Sequence, residues 1–142
     1  MQKIIPVVIA VIYKDNKFFL TERRNTLEET HEFGKKTLWH FPGGELEYGE
    51  ELDSAIMREI KEETSLTISV QKQLPRVYSS IRSRWHGLLI PFLCTVEGDS
   101  NVTLNFESTS YGWFAHKEIH TLHTLPFVTE IAKDALVLLK QS

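Results

Sequence analysis

The sequence has 142 residues, of which 42% are hydrophobic and 25% are charged, and its formal net charge is −3. This length suits one domain with a real core, so we predict a single domain over residues 1–142. The weak negative charge argues against a nucleic-acid-binding protein, which usually carries a basic stripe, and we predict no nucleic-acid partner. The acidic residues are concentrated, because eight of the 19 lie between Glu45 and Glu63.

The single cysteine and the apolar N-terminal stretch indicate the compartment. Cys94 lies inside the apolar run 88–94, which is typical of an inert core thiol in a reducing environment. The apolar stretch 4–13 is too short to cross a membrane and lacks a small-residue cleavage pattern. We therefore predict a soluble, cytoplasmic protein with no membrane partner.

The first elements predicted are a hairpin and a long loop. Residues 7–13 are β-branched and almost continuously apolar, which favours a buried strand. Asp15 and Asn16 mark a turn into a second strand at 17–22. Residues 23–37 are polar and predict a loop that is long for a compact domain, and such loops are often functional.

The middle of the chain predicts a short strand, a helix and another strand. The strand at 39–41 ends at the Pro-Gly-Gly sequence 42–44. Strong helix formers without Gly or Pro predict a helix at 50–64, and a strand follows at 66–74.

The last part of the chain completes an α/β (α+β) pattern. Residues 85–96 predict a strand in which Pro91 implies an edge position or a bulge. Residues 101–112 are polar and poorly periodic, 113–115 predict a short strand, and 127–139 predict a closing amphipathic helix. We expect a central mixed sheet flanked by helices.

Two glutamates lie on the apolar side of the 50–64 helix. At about 100° per residue, Glu59 and Glu63 fall within the apolar stripe and Glu62 falls at its edge. A solvated acidic face, the usual role of a Glu-rich helix, should lie opposite this stripe. Buried carboxylates need a cation, hydrogen-bond donors or a shared proton. The pattern therefore favours a divalent metal site.

The residues around these glutamates form a longer motif. After Gly44 come five residues, Glu50, seven residues, and then Arg58-Glu59-Ile60-Lys61-Glu62-Glu63-Thr64-Ser65-Leu66. This motif resembles the signature of the Nudix hydrolases and differs at one defined position, where Ser65 replaces Gly. Because Gly would end the helix in a left-handed conformation, we expect Ser65 to lower stability slightly and to leave the chemistry intact.

The resemblance implies a Nudix-like α/β/α sandwich that hydrolyses a nucleoside diphosphate linked to another group, with Mg²⁺ (or Mn²⁺) as the cofactor. The chemistry agrees, because an anionic pyrophosphate and an acidic helix are compatible only with a cation between them. Glu59 and Glu63 are the implied metal ligands. Glu62 is a further ligand or a base, and Gly43 or Gly44 supplies a backbone carbonyl to the metal, with Gly43 as the predicted ligand.

Other residues are given supporting and substrate-binding roles. Glu50, Arg58 and Tyr111 are selected by the resemblance, whereas Arg24 and Trp39 are selected because a basic side chain can hold a phosphate and an aromatic ring can line a base pocket. Glu50 and Arg58 form an ion pair behind the ligands. Glu107 is either an additional ligand or general base, or a surface residue, and the two readings are equally supported. The predicted substrate-binding residues are Arg24, Trp39, Gly44 and Tyr111.

The resemblance is nearest to small nucleoside triphosphate pyrophosphohydrolases of the mutator type, and we predict cleavage of a triphosphate to a monophosphate and pyrophosphate. One alternative substrate is a nucleotide sugar, ADP-ribose or a dinucleoside polyphosphate. Another alternative is a non-catalytic nucleotide-sensing domain. The sequence is compatible with a monomer or a homodimer.

Overall fold

A computed structural model describes residues 2–141, so the two ends of the predicted domain, positions 1 and 142, lie outside the described residues. Eight strands form one mixed sheet, and helices cover it. In chain order the elements are β1 (Ile5–Lys14), β2 (Lys17–Arg24), α1 (Leu27–Phe33), β3 (Thr37–His40), β4 (Gly43–Glu45), α2 (Leu52–Thr64), β5 (Thr67–Gln73), β6 (Tyr78–Arg82), β7 (Trp85–Glu97), β8 (Ser108–Phe114), α3 (His116–Ile119) and α4 (Val128–Lys140).

The strand order along the sheet is β3-β2-β1-β7-β5. Strand β4 also pairs with β1, β6 with β7, and β8 with β2. The β1–β7 pair is parallel and the other pairs are antiparallel. The prediction of a central mixed sheet is therefore confirmed.

Two hydrophobic clusters lie on the two faces of this sheet. Alternate residues of β1 enter different clusters, since Val8 and Ala10 pack with α2 whereas Val11 packs with α4. This alternation follows from the two-residue period of a strand. Residues Ala55, Ile56 and Ile60 of α2 and Val128, Ile131, Ala132 and Ala135 of α4 are buried against the sheet. The chain thus forms the expected sandwich, with α2 and α4 on opposite faces.

The prediction of an unbroken loop at 23–37 is wrong, because the segment contains α1. A capping box starts this helix, with Thr26 and Glu29 each accepting a hydrogen bond from the other's backbone amide. Gly34 ends it with a left-handed φ of 73°. The helix buries no residue, so the segment has no apolar periodicity for a sequence argument to detect.

The strands after α2 also differ from the prediction. Strand β6 was not predicted, and β8 begins at Ser108, within the segment described as poorly periodic. Pro91 lies in the interior of the sheet, since β7 pairs with β1 on one side and with β5 and β6 on the other. It stands between Phe92, which pairs with β5, and Leu89, which pairs with β6, so the ladder changes partner there. No helix within residues 2–141 has the length and apolar character needed to cross a membrane.

Candidate active site

Helix α2 carries the candidate ligands into the sandwich. Because Ile56 and Ile60 anchor the helix on the sheet, the carboxylates one turn apart at Glu59 and Glu63 turn toward β4 and β1. Glu63 is buried, with 6% of its surface exposed. The Glu59 side chain is 15% exposed. The predicted burial of acidic groups on this face is confirmed.

The Glu63 carboxyl has two other carboxyl groups, those of Glu107 and Glu59, as its charged neighbours. Burial, together with the nearby Glu107 and Glu59 carboxylates, raises the pKa of Glu63 to about 9. A hydrogen bond with the Gly43 backbone acts in the opposite direction and does not outweigh them. A cation among these carboxylates would relieve both the desolvation and the repulsion.

The C-terminal end of α2 brings Glu107 to this place. The amides of Thr103 and Asn105 donate to the carbonyls of Thr64 and Glu63, each at 3.0 Å, and so satisfy carbonyls that the helix leaves free. The Glu107 amide then donates to Asn105 Oδ1 at 3.0 Å. Glu107 therefore lies within hydrogen-bonding reach of Glu63, although more than forty residues separate the two in the chain.

Two adjacent glycines of β4 allow close approach, one to a carboxylate of α2 and the other to strand β1. A Cβ on Gly44 would overlap the Glu59 carboxylate, and a Cβ on Gly43 would overlap the Val8 carbonyl oxygen. Gly44 thus leaves room for the Glu59 head group, whereas Gly43 allows β4 to approach β1. The contact that Gly43 makes is with Glu63, and its predicted carbonyl bond to a metal stays a prediction.

Arg58 fixes the region behind the ligands. Its Nε and Nη2 donate to the two oxygens of Glu50 at 2.7 and 2.9 Å, as expected for a bidentate pair. These hydrogen bonds lower the pKa of Glu50 to about 2. The Nη1 atom lies 3.2 Å from Glu59 Oε1, so the pair also orients one candidate ligand. The predicted contact between Glu50 and Arg58 is present.

Glu62 does not join the other glutamates. Its side chain is 57% exposed and lies 3.3 Å from Arg58 Nη1, outside the cavity. Within residues 2–141 no three carboxylate, imidazole or thiolate side chains are placed so as to hold a metal ion by themselves. Mg²⁺ commonly binds through one or two carboxylates, water and substrate phosphates. The oxygen donors of Glu59 and Glu63 fit such an ion.

A cavity of about 780 Å³ opens from these residues and has two chemically different ends. The carboxylate end is lined by Glu45, Glu59, Glu63 and Glu107, and the arginine end by Arg23, Arg24, Arg82 and Arg84. Apolar side chains of β1, β7 and α4 also line the cavity. The volume and lining are typical of a small-molecule site.

The predicted substrate-binding residues divide into two groups. Arg24 and Gly44 line the cavity. Trp39 does not, because its ring packs edge-on against Phe114 at 5.0 Å within the α4-side core. Tyr111 is also outside the cavity, and its ring lies 5.7 Å from that of Phe19. Strand pairing decides these directions, since β3 and β8 are both registered on β2.

Sequence reasoning missed Glu29 and did not select Arg23, Arg82 or His40. Glu29 accepts hydrogen bonds from both of these arginines and lies in the cavity wall with His40. The Thr26 to Glu29 spacing of a capping box is a signal that indicates α1 and hence the place of Glu29. Nothing local in the sequence indicates the partnership with Arg82.

Comparison with known proteins agrees with this geometry. The family model for the NUDIX domain matches residues 3–134. A solved NUDIX hydrolase from Nitrosomonas europaea superimposes with a TM-score of 0.79 and 26% identity, covering 95% of this chain and 90% of that one.

Two named relatives are similar in sequence. An ADP-ribose pyrophosphatase of Methanocaldococcus jannaschii is 42% identical over 93 residues, which are 64% of this chain and 50% of that protein, so the match spans half of the relative's length. An 8-oxo-dGTP diphosphatase of Buchnera aphidicola is 27% identical over 132 residues, 84% of this chain and 91% of that one. With a domain match over most of the chain and the same fold, the chain belongs to the Nudix hydrolase family.

Proposed function

We propose that this protein hydrolyses a phosphoric anhydride bond of a nucleoside diphosphate derivative, and that its substrate is a nucleoside triphosphate cut to a monophosphate and pyrophosphate. The observation that carries the proposal is the buried Glu63 carboxyl facing Glu59 and Glu107 at one end of a cavity. Carboxylates placed in this way are suited to an anionic substrate only when a hard cation lies between them.

The residues of the carboxylate end have different roles in the proposed reaction. Glu59 and Glu63 would hold the cation, and Arg58 keeps Glu59 in place from behind. A bound Mg²⁺ or Mn²⁺ would neutralise phosphate oxygens and acidify a water molecule. Glu107 accepts the proton of the attacking water, whose oxygen bonds to phosphorus as the anhydride P–O bond breaks. The leaving phosphate takes the electron pair of that bond.

ADP-ribose is the second candidate substrate. The 42% identity to a protein named as an ADP-ribose pyrophosphatase favours it. The 27% identity to a protein named as an 8-oxo-dGTP diphosphatase covers more of both chains and favours a triphosphate. The cytoplasmic location and the choice between monomer and homodimer stay predictions from the sequence.

A nucleotide panel with Mg²⁺ tests the proposal. Purified protein is incubated with nucleoside triphosphates, ADP-ribose, nucleotide sugars and dinucleoside polyphosphates, and products are separated by chromatography. We expect pyrophosphate and a monophosphate from a triphosphate, and no product in the presence of a chelator. Release of AMP and ribose phosphate from ADP-ribose alone would establish the second candidate. Nucleotide binding without any turnover would establish the non-catalytic sensor.

The variant Glu63→Gln ties the activity to the carboxylate end. It preserves shape and removes the charge that a cation requires, so we expect kcat to fall by about 10²-fold or more. Glu97→Gln is the matched control, because Glu97 is exposed at the end of β7. Near-normal turnover by folded Glu63→Gln protein would contradict the assignment.

A further inference from the structure

At the arginine end of the cavity, two arginines form ion pairs with the same glutamate. Arg23 is the residue before the last of β2, and Arg82 is the last residue of β6, at the turn into β7. Both side chains are largely buried, at 26% and 12% exposure. They meet at one carboxylate, that of Glu29, which lies in α1 and is 18% exposed.

Glu29 cannot neutralise both guanidinium groups. Arg23 Nη2 donates to its two oxygens at 2.6 and 2.5 Å, and Arg82 Nη1 donates to Oε2 at 3.2 Å. The Thr26 amide also donates to Glu29 Oε1 at 3.0 Å. Two cations therefore share one anion that already caps a helix, and Glu32 adds a longer-range attraction on Arg82.

Arg82 retains donor capacity in a fixed orientation. Its Nε is buried and has no hydrogen-bond partner among the described residues. Its guanidinium lies 4.3 Å from the centroid of the Trp85 ring, which holds the plane of the group. A buried unsatisfied donor is costly, so a bound acceptor would stabilise this arrangement.

His40 adds hydrogen-bonding capacity without charge. Burial, together with the positive charges of Arg23 and Arg82, lowers the pKa of His40 to about 3, so the ring is neutral at physiological pH. The ring lines the same cavity. Because His40 is neutral, the positive charge at this end of the cavity comes from the arginines.

The acidic residues of α1 also have assigned partners. Glu28 accepts a hydrogen bond from the Ser83 hydroxyl at 2.7 Å, and Glu32 lies 3.4 Å from the Ser83 amide. These contacts fasten α1 to the turn between β6 and β7. Glu32 also attracts Arg82 electrostatically, whereas the ion pair of Arg82 is with Glu29. The arginines that line the cavity number four and the lining glutamates of α1 number three, and the other four lining glutamates are those of the carboxylate end. The cavity is thus electrostatically polarised.

We propose that the arginine end binds an anionic group, a phosphate or a carboxylate, carried by the substrate beyond the anhydride bond that is cut, with Arg23 and Arg82 as its donors. The proposal deepens the proposed function and rests on it for the identity of that bond. It implies a preference for substrates whose leaving part is charged, such as nucleoside triphosphates or acidic nucleotide sugars, over those ending in a neutral sugar. Planar guanidinium groups suit such anions because they can donate two hydrogen bonds at once.

Binding of inorganic phosphate without metal tests the subsite independently of turnover. With chelator present, the carboxylate end repels an anion, so calorimetric titration with inorganic phosphate reports the arginine end. We expect Arg82→Gln and Arg23→Gln each to weaken phosphate binding at least tenfold. Arg76→Gln is the matched control, because Arg76 pairs with Asp134 outside the cavity, and it should bind like the wild type. Equal phosphate binding by all four proteins, or none by the wild type, would overturn the proposal.

A matched pair of substrates gives the second arm. UDP-glucuronate and UDP-glucose differ in the terminal sugar's charge, and pyrophosphate-bond cleavage of both is measured with Mg²⁺. We expect Arg82→Gln to raise KM for the acidic compound about tenfold and to leave KM for the neutral one unchanged. An equal change for both, or a change that follows the base in a triphosphate panel, would overturn the proposal. If Arg82→Gln does not fold, the same measurements are made on Arg82→Lys, which keeps the charge but lacks the planar guanidinium group.

The two proposals fail separately. If phosphate binding depends on Arg23 and Arg82 but no nucleotide is hydrolysed, the subsite stands and the proposed function falls. If hydrolysis proceeds and Arg82→Gln changes neither phosphate binding nor KM, the proposed function stands and the subsite falls.

Discussion

At the scale of single residues, the environment of Glu63 disfavours the charged form of its carboxyl group. Its carboxyl is buried beside two other carboxylates, and the resulting rise of its pKa to about 9 means that the metal-free protein holds a proton there at neutral pH. The metal-free fold therefore favours the protonated form of Glu63, whereas metal binding requires the deprotonated form. That competition has consequences for stability as well as for catalysis.

We predict that the metal-free wild type loses stability as pH rises toward 9, and that Glu63→Gln does not. The folded pKa of Glu63 lies above the unfolded value of 4.5, so its contribution is fully present below pH 4.5 and is lost as pH rises through about 9. The slope is at most about 1.4 kcal/mol per pH unit. Gln is neutral throughout and is free of this loss. Denaturant unfolding in chelator between pH 6 and 9 measures the difference.

Mg²⁺ should reverse the order of the two proteins, because only the wild type offers the charged ligand. Glu97→Gln serves as the control and should follow the wild type in both conditions. Parallel stability curves for wild type and Glu63→Gln across this pH range would contradict the assigned environment.

A second residue-scale prediction compares the neighbouring glycines. Gly44→Ala places a methyl group against the movable Glu59 carboxylate, so we expect weaker Mg²⁺ activation, with KM for the metal raised about tenfold, and a nearly unchanged unfolding midpoint. Gly43→Ala places it against the Val8 backbone, and we expect a loss of about 1–3 kcal/mol of stability. Metal titrations of activity and thermal unfolding separate the two. Similar effects of both variants in both assays would refute this division.

At the scale of elements, the C-terminal end of α2 organises the site. Ser65 follows the helix with a φ of 67°, which confirms the left-handed conformation expected at the place where the family motif has Gly. The carbonyls of Glu63 and Thr64, just before it, receive the amides that carry Glu107 into the site. The way the helix ends is thus linked to the geometry of its carboxylates.

We predict that Ser65→Gly stabilises the protein by about 1 kcal/mol, because a left-handed residue with a Cβ is strained. The lost hydrogen bond from the Ser65 hydroxyl to the Thr103 carbonyl, at 3.3 Å and exposed, reduces this gain only slightly. Ser65→Ala is the matched control, since it loses the same hydrogen bond and keeps the strain. Chemical denaturation should rank Ser65→Gly as most stable and Ser65→Ala as least. Equal stability of the two variants would show that no strain is present.

At the scale of the whole molecule, Asp134 fastens α4 to the sheet. Tyr78 donates to its Oδ2 at 2.5 Å, and Arg76 donates to both of its oxygens at 3.0 and 2.6 Å. Burial raises the pKa of Asp134, but the hydrogen bonds from Arg76 and Tyr78 outweigh it and hold that pKa below its usual value. One carboxylate therefore joins β6, the segment before it and the last helix.

We predict that Asp134→Asn lowers the free energy of unfolding by about 1–2 kcal/mol at pH 7. Because the folded pKa is depressed, this contribution is present above the unfolded value of about 3.8 and is lost as pH falls through the folded pKa. Urea unfolding at pH 7 and below pH 4 should show the two proteins converging in acid. Asp99→Asn, in the exposed turn after β7, is the control and should match the wild type. A stability difference that persists unchanged in acid would contradict the charged interaction.

The fold and the carboxylates of α2 were predictable because their signals are local. Strands β1, β2, β7 and helices α2 and α4 have clear apolar periods, and the Gly44 to Leu66 spacing alone indicates Glu59, Glu63, Glu50 and Arg58. Helix α1 and strand β6 were missed because neither has a full apolar face: α1 is held by polar contacts, such as the ion pair between Glu29 and Arg82. These contacts do not produce a pattern along the chain.

The sequence by itself determined the family motif, the buried acidic helix and the kind of bond that the motif is expected to cut, since a helix places residues i and i+4 together whatever surrounds it. Only the tertiary structure decided that Glu107 reaches Glu63, that Glu62, Trp39 and Tyr111 turn away from the cavity, and that Arg82 meets a carboxylate 53 residues away at Glu29. Those outcomes depend on strand register and on the docking of separate segments. A register shift of one residue would reverse each side chain's direction, and no local spacing records it.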